Sequence, residues 1–235
     1  MLVDDLVEES GIPVRRVLSA LTMLEIDGYV SQTPGKRYAM VFDVRRCTGC
    51  LSCTVSCSVE NHVEAGRART QVNQMAVKTA AAEAVIAFPN QCNHCDNPPC
   101  VRVCPVKATY KRSEDGIVVI DYNKCIHCMA CVPACPYGAR KADPTHKNPP
   151  EKCNFCIHRI SEGLLPACVE SCIGKARVFG DLNDETSEIY KLVKASKVYA
   201  LLSGYGTKPN IFYIGLPEGC DDKAMLSVKQ TNWQR

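Results

Sequence analysis

The sequence lacks three features that would identify a membrane-spanning, secreted or nucleic-acid-binding chain. No run of about 18 uninterrupted apolar residues occurs, and even AVKTAAAEAVIAF contains Lys78 and Glu83, so we expect no membrane-spanning helix. The N-terminus MLVDDLVEES is acidic and has neither the basic nor the apolar region of a secretory signal. The formal net charge of +3 is too small to indicate nucleic acid, a membrane surface or an acidic substrate as a partner.

One short stretch resembles an export leader of the twin-arginine type. Arg15 and Arg16 precede the apolar stretch VLSALTMLEI. Glu25 interrupts that stretch, however, Asp27 directly follows it, and no small-x-small cleavage site comes after it. We therefore interpret these residues as an amphipathic helix.

Cysteine is the residue in excess, with 17 in a chain of 235. Such a content suggests a disulfide scaffold in short secreted chains, but without an export signal we expect free thiols. Only Cys220 stands outside four groups of four, and we expect it to be a spare thiol. Groups one to four are, in order, Cys47, Cys50, Cys53 and Cys57; Cys92, Cys95, Cys100 and Cys104; Cys125, Cys128, Cys131 and Cys135; and Cys153, Cys156, Cys168 and Cys172.

The spacing within the groups is typical of iron-sulfur ligation. A tight CxxCxxC loop can supply three thiolates to a four-iron cubane, and in two-cluster bacterial ferredoxins the following Cys-Pro cysteine binds the other cluster. Groups two and three both end in this way, at Cys104-Pro105 and Cys135-Pro136. Between them, Asp115-Gly116 predicts a hairpin turn before a β-branched strand at 117–120. Residues 92–136 are therefore predicted to form a two-cluster ferredoxin.

Zinc is the main alternative, because tetrahedral four-cysteine sites also use CxxC pairs. Group four taken alone fits zinc as well as it fits iron. Structural zinc usually separates its two pairs by a longer loop, whereas groups one and three each place four thiols within eleven residues. Because the four groups are equal in size, we expect all of them to bind the same kind of metal centre, which is an iron-sulfur cluster.

The four groups in this order resemble the four-cluster iron-sulfur subunits of the dimethyl sulfoxide reductase family of molybdopterin oxidoreductases. The motifs are CTGCLSC, CNHCDNPPCVRVCP, CIHCMACVPACPYGA, and CNFCIHRISEGLLPACVESC followed by ARVFGDL, and they lie within residues 40–215. The resemblance implies a non-catalytic subunit that relays single electrons through four [4Fe-4S] clusters. Its partners would be a large molybdopterin (Mo or W) catalytic subunit and a membrane quinone-side subunit or a soluble carrier.

The resemblance also implies that group one exchanges a ligand with group four, and group two with group three. Site I would take Cys47, Cys50, Cys53 and Cys172; site II Cys153, Cys156, Cys168 and Cys57; site III Cys92, Cys95, Cys100 and Cys135; and site IV Cys125, Cys128, Cys131 and Cys104. One departure from the family pattern is Ile173, which follows Cys172 where the family usually has proline. This departure concerns the local turn and not the ligand.

Charged and histidine side chains near the cysteines are candidates for adjusting the clusters. The cations that could raise reduction potentials are Arg102, Lys107, Arg140, Lys141, Arg159 and Arg177. The histidines are His94, His127 and His158, which we expect to donate hydrogen bonds to cluster sulfur and not to ligate iron.

The N-terminal segment does not belong to a ferredoxin and resembles a winged helix-turn-helix. It has a short helix, a turn at Ser10-Gly11, a second helix, and a hairpin expected from 29–32 and 36–40 about Thr33-Pro34-Gly35. Residues 1–37 contain four basic and six acidic side chains, and this net charge of 4 − 6 = −2 opposes phosphate binding. We expect the segment to dock on the ferredoxin body or on another subunit.

The complete prediction is an α+β fold of two interlocked bacterial-type 2[4Fe-4S] ferredoxin-like modules. A winged-helix-like extension is expected at 1–38, the four-cluster domain at 39–180, and a covering helix, strand and tail at 181–235. The helix is expected over ETSEIYKLVKASKVYALL and the strand over IFYIGL. The chain is expected in the cytoplasm or at a membrane through its partners, and export together with a signal-bearing partner is also compatible with the sequence.

Two other functions are compatible with parts of the sequence. An independent polyferredoxin of another redox complex would use the same cysteine groups with different partners. A redox-sensing DNA-binding regulator would use the N-terminal segment as the reader of DNA. The regulator explains the sequence less well, because a sensor needs one labile cluster and the segment is acidic.

Overall fold

The computed structural model describes residues 3–29, 35–78 and 83–216, so Cys220 and the predicted tail lie outside the described residues. The helices are α1 (Val3–Ser10), α2 (Val14–Ile26), α3 (Ser52–Glu60), α4 (Pro99–Arg102), α5 (Ile157–Ile160), α6 (Ala167–Glu170) and α7 (Glu188–Ala195), with a 3-10 turn at Ser203–Tyr205. The strands are β1 (Tyr38–Asp43), β2 (Thr70–Lys78), β3 (Glu83–Gln91), β4 (Thr109–Lys111), β5 (Val118–Ile120), β6 (Arg177–Asp181) and β7 (Ile211–Ile214). This mixture agrees with the predicted α+β class.

A three-stranded sheet in the order β6-β1-β7 joins the beginning and the end of the cysteine-rich region. The central strand β1 runs antiparallel to β6 and parallel to β7. Side chains on a strand alternate between faces. Met40 and Phe42 accordingly belong to the larger core, which also includes several cysteines, while Ala39 and Val41 belong to a second core on the other face.

Helix α7 covers that second face of the sheet. Its Ile189 is fully buried in one cluster with Ala39, Val41 and Ile214. The predicted helix and the predicted strand at the end of the chain are thus present, but the helix is shorter than expected. It ends at Ala195, and Tyr199 exchanges backbone hydrogen bonds with Tyr213 of β7. Pairing with the sheet outweighs helix propensity after residue 195.

Two hairpins precede cysteine loops. The β4–β5 hairpin follows the predicted turn at Asp115-Gly116, with Thr109 opposite Ile120. The longer β2–β3 hairpin, with Thr70 opposite Gln91, was not expected from the sequence. Because β3 ends at Gln91, it delivers the chain directly into the first cysteine of group two.

Helices α1 and α2 occupy the N-terminal segment and are joined at the predicted turn, where Gly11 has a φ of 64°. Residues 30–34 of the expected hairpin lie outside the described residues. Tyr38, Ala39 and Met40, expected in the second strand of that hairpin, pair with β6 as part of β1. Across 3–29, 35–78 and 83–216, no helix combines the length and the apolar character needed to cross a membrane.

We predict that Ile189→Ala destabilises the fold by about 2–5 kcal/mol, because it leaves a cavity between α7 and the sheet. The midpoint of anaerobic thermal unfolding should fall accordingly. The matched control is Ile26→Ala, whose side chain is 74% exposed and should change stability by less than about 0.5 kcal/mol. Equal midpoints for the two variants would contradict this account of the second core.

Candidate metal centres

All four CxxC loops contain a residue in the left-handed backbone conformation immediately before the second cysteine. These residues are Gly49 (φ 70°), His94 (φ 44°), His127 (φ 55°) and Phe155 (φ 55°). A left-handed turn gathers successive N–H groups into a concave surface that suits anions and iron-sulfur groups. In group four, the Phe155 amide N donates to Cys153 Sγ at 3.3 Å. For the three residues other than glycine, this conformation costs about 1–2 kcal/mol each, and such strain is typical of ligand-holding loops.

The cysteines of site I line one pocket. Cys47, Cys50, Cys53 and Cys172 surround a partly open space of about 340 Å³. Packing of α3 against α6 brings Cys172 there, since Ser52 Oγ donates to the Ser171 carbonyl at 3.0 Å. The Ala176 amide N also donates to Cys172 Sγ at 3.2 Å.

The cysteines of site IV line a second, similar pocket. Cys104 lies there with Cys125, Cys128 and Cys131 around a partly open space of about 330 Å³. Within the described residues, no three His, Cys, Asp or Glu side chains converge closely enough to hold a single metal ion. The four thiols of site IV line the walls of this wider space.

Site II brings Cys57 to three cysteines of group four. The Asn61 amide Nδ2 lies 3.8 Å from Cys57 Sγ and 3.7 Å from Cys156 Sγ, so these two thiols are close neighbours. Burial, together with the thiolates of Cys168 and Cys156, raises the pKa of Cys57 to about 12. Burial, Cys57 and Cys168 likewise raise the pKa of Cys153.

Site III brings Cys135 to three cysteines of group two. Burial and the thiolates of Cys92 and Cys100 raise the pKa of Cys135. Burial and the thiolate of Cys92 raise the pKa of Cys95 to about 12. The thiols of Cys57 and Cys153 in site II and of Cys95 and Cys135 in site III therefore resist ionisation on their own, and a bound cation would displace their protons.

The four sites differ in exposure to solvent. In site II all four cysteines are buried, and in site III three are buried and Cys135 is partly buried. Sites I and IV each have one exposed cysteine, which is Cys50 or Cys128 respectively. All sixteen cysteines of the groups are free thiols, as expected.

Buried cations contact the thiols, but only some of those expected do so. Arg177 Nη2 donates to Cys53 Sγ at 3.1 Å, and Arg140 is buried beside Cys100 and Cys131. Arg159 instead forms ion pairs with Glu60 and Glu170. Arg102 and Lys107 are exposed, and Lys141 is half-buried near Cys135. Lys152, which the sequence analysis did not single out, is fully buried next to Cys153.

The histidines have different roles. His94 is fully buried, and its Nδ1 accepts from the Val118 amide at 3.1 Å. Burial holds its pKa well below the usual range, so the ring is neutral with its proton on Nε2. In the described part of the chain, that Nε2 has no hydrogen-bond partner. By contrast, His127 Nδ1 lies 3.3 Å from the His146 carbonyl, and His158 contacts Glu60.

The orphaned donors and the set of thiols together fit an iron-sulfur group. Arg140 Nε and Nη2 are also buried without an acceptor among the described residues. Buried N–H groups nearly always find acceptors, and the sulfur atoms of a cluster can supply them. Sixteen thiols, neutral His94 and the donors of Arg140 form a donor set that thiolate-bound clusters require.

Comparison with known proteins agrees with this geometry. Residues 83–182 match the family described as 4Fe-4S dicluster domain, and residues 1–36 match the DprA winged helix domain. The chain is 47% identical over 206 residues to a tetrathionate reductase subunit of Salmonella typhimurium, covering 86% of this chain and 82% of the relative.

Two further relatives carry related names. A selenate reductase subunit of Mesobacillus selenatarsenatis is 39% identical over 210 residues, covering 76% of this chain and 72% of the relative. A polysulfide reductase polypeptide of Wolinella succinogenes is 39% identical over 183 residues, covering 76% and 94% respectively. The similarity thus extends over most of each chain.

We predict that Gly174→Ala impairs site I. A Cβ at this position would lie far inside contact distance of the Arg46 carbonyl oxygen, so the segment carrying Cys172 would have to shift. Anaerobic iron analysis should show the loss of about four irons per chain, the content of one cubane. Gly204→Ala is the control, because its Cβ would meet nothing within 4 Å. Full iron content in both variants would rule out this close approach.

Proposed function

This chain belongs to the family of iron-sulfur subunits of molybdopterin oxidoreductases, and we propose that electrons pass along its sites in the order I, II, III, IV. It is an electron-transfer subunit with four [4Fe-4S] clusters. A cubane bound by four thiolates has no open coordination position and supplies one-electron transfer. The observation that carries the proposed order is that the cysteines of sites II and III are largely buried, whereas sites I and IV each have one exposed cysteine.

The sixteen ligands are assigned as sites I to IV were defined. Two shared pockets support the assignment of sites I and IV, and the mutual effects of neighbouring thiolates support that of sites II and III. The exchanged ligands are therefore Cys172, Cys57, Cys135 and Cys104.

Electrostatic effects between cysteines of successive sites support the order. The thiolate of Cys53 in site I helps to raise the pKa of Cys168 in site II, after the larger effect of burial. Cys92 of site III acts in the same direction on Cys153 of site II. Cys100 of site III acts in the same direction on Cys131 of site IV. Each site thus has a neighbour close enough for charge to act across the gap.

The two end sites would face different partners. One end would receive a large catalytic subunit carrying molybdopterin with Mo or W, and the other a membrane quinone-side subunit or a soluble carrier. Exposed apolar side chains next to site IV suit such a contact, since Ile126 is 60% exposed beside Cys125. This arrangement would hold the chain in the cytoplasm or at a membrane through its partners, or allow its export with a signal-bearing partner.

The N-terminal segment is assigned to docking and not to DNA binding. It carries a net charge of −2 over residues 1–37 and exposes several apolar side chains of α2, including Leu18 and Ile26. Apolar exposure favours protein contact, and a negative charge disfavours phosphate contact. Arg37, which bonds Asp181 through its backbone and Asp96 through its side chain, fixes the end of the segment to the cluster domain.

Double alanine variants test the ligand exchange. With the proposed sites, Cys50→Ala with Cys172→Ala removes ligands from one cluster, so about four irons per chain are lost. Cys156→Ala with Cys172→Ala removes ligands from two clusters, so about eight irons are lost. If each sequence group instead held its own cluster, the two results would be reversed. Anaerobic iron and sulfide analysis, with electron paramagnetic resonance (EPR) to count the remaining clusters, distinguishes the assignments.

Anaerobic purification of the native complex tests the partners. We expect about sixteen irons and sixteen sulfides per chain with negligible zinc, together with a large subunit containing molybdenum or tungsten. The clusters should be reduced by the electron donor of the complex and reoxidised by its acceptor. Copurification with a hydrogenase or heterodisulfide system would favour the polyferredoxin function, and four zinc atoms would exclude electron transfer by this chain.

A further inference from the structure

We propose that three buried cations, Arg177, Lys152 and Arg140, each lie at one junction between successive sites and raise the reduction potentials of both flanking clusters. We call these residues the junction cations. Arg177 lies between sites I and II, Lys152 between sites II and III, and Arg140 between sites III and IV. The inference rests on the proposed function and on its assignment of ligands.

Arg177, the first residue of β6, is 4% exposed. Its Nη2 donates to Cys53 Sγ at 3.1 Å and to Thr70 Oγ1 at 3.0 Å, and its Nη1 donates to Gln91 Oε1 at 2.9 Å. Arg177 lines the pocket of site I together with Cys53 and Cys172. Helix α6, which carries Cys168 of site II, packs against β6, so the guanidinium faces both sites.

Lys152 directly precedes Cys153 and is 2% exposed. Its Nζ donates to the carbonyl oxygens of Val118 and Cys153. Val118 packs against Cys100 of site III, and Cys153 is a ligand of site II, so the two carbonyls hold Nζ between these sites. The ammonium group is thus located between the second and third sites.

Arg140 is 3% exposed and follows group three in the chain. Its Nη1 donates to Thr109 Oγ1 at 3.3 Å, and its Nε and Nη2 have no acceptor within the described residues. Thr109 lines the pocket of site IV and donates its amide N to Cys104 Sγ at 3.5 Å, so Arg140 adjoins this site. The thiolates of Cys100 and Cys92 in site III also act on the guanidinium, so this cation faces two sites.

The charge of the junction cations is not neutralised by carboxylates. Other buried or half-buried arginines have acidic partners, such as Arg69 with Glu151 and Arg159 with Glu60. In the described ranges, no ion pair to Asp or Glu is found for Arg177, Lys152 or Arg140. A buried cation is costly unless it is paired. An oxidised cubane with four thiolates carries about two negative charges, and it supplies the missing counter-charge.

Because each junction cation lies between two sites, it should affect the reduction potentials of the two clusters on either side of it. Each reduction adds one electron to a cluster, and a nearby cation in a medium of low dielectric constant stabilises the reduced state. Removing one junction cation should therefore lower the potentials of its two flanking clusters and leave the other two nearly unchanged. A general loosening of the fold would not follow this pattern.

The test is a potentiometric titration of the purified native complex, monitored by EPR, for Arg177→Gln, Lys152→Gln and Arg140→Gln. The alanine variants of the ligands identify which EPR signal belongs to which site. In each glutamine variant, we expect the two flanking midpoints to fall by about 59 mV or more, a tenfold change in a one-electron equilibrium. Arg177→Lys, Lys152→Arg and Arg140→Lys retain the charge and should restore most of the shift.

Arg67→Gln is the matched control, since Arg67 is a buried arginine that contacts Glu64 and the Pro149 carbonyl. It should leave all four midpoints unchanged. Iron and sulfide are measured for every sample. Loss of clusters in a glutamine variant supports the proposal only if the two flanking clusters are lost and the charge-retaining variant keeps them.

Any other pattern overturns the proposal. Unchanged midpoints in a fully loaded glutamine variant would show that the cation has no effect on potential. Equal shifts at all four clusters, or equal shifts with and without charge retention, would show a structural role only. A wild-type complex without four clusters would instead refute the proposed function, so the two failures are distinguishable.

Discussion

Cys172 completes the pocket lined by Cys47, Cys50 and Cys53, although it lies far from them in the sequence. The rest of the fold depends on such proximity between cysteines of distant segments. Apart from β2 and β3 the described strands are short, and the larger core includes cysteines beside Met40 and Phe42. The free energy of binding a metal group at such a site adds to the free energy of folding, because the site does not exist in the unfolded chain. The clusters therefore act as cross-links between segments that the hydrophobic core alone would hold weakly.

The same dependence explains the strained loops. His94, His127 and Phe155 adopt a left-handed backbone that costs free energy in the protein alone. Such strain persists when surrounding interactions require the conformation. Ligation by the cysteines on both sides of these residues would be such an interaction, and the Phe155 amide N already donates to Cys153 Sγ. Cluster binding and loop conformation are thus two aspects of one equilibrium.

The sequence was sufficient to predict those structural elements that are determined by neighbouring residues in the chain. Spacing alone identified the four cysteine groups, and Asp115-Gly116 predicted the β4–β5 hairpin. The β2–β3 hairpin was not predicted, because the segment TAAA between its strands has no strong turn residue. The end of α7 at Ala195 also could not be predicted, since it depends on the pairing of Tyr199 with Tyr213, which is a tertiary contact.

Of the candidate site, the sequence predicts the ligands better than their surroundings. Cysteine spacing reflects the geometry of the metal group itself, whereas the side chain that faces a thiol depends on how separate segments pack. Arg177 reaches Cys53 only because β6 pairs with β1, and Arg159 is occupied by Glu60 because α3 lies near α5. Lys152 carries no motif beyond being next to Cys153. Its buried Nζ bonds the carbonyl of Val118, which β5 supplies from the hairpin that follows group two. The ion environment of the clusters is therefore a property of the assembled fold, and the contacts that assemble the fold also determine where positive charge lies along the electron path.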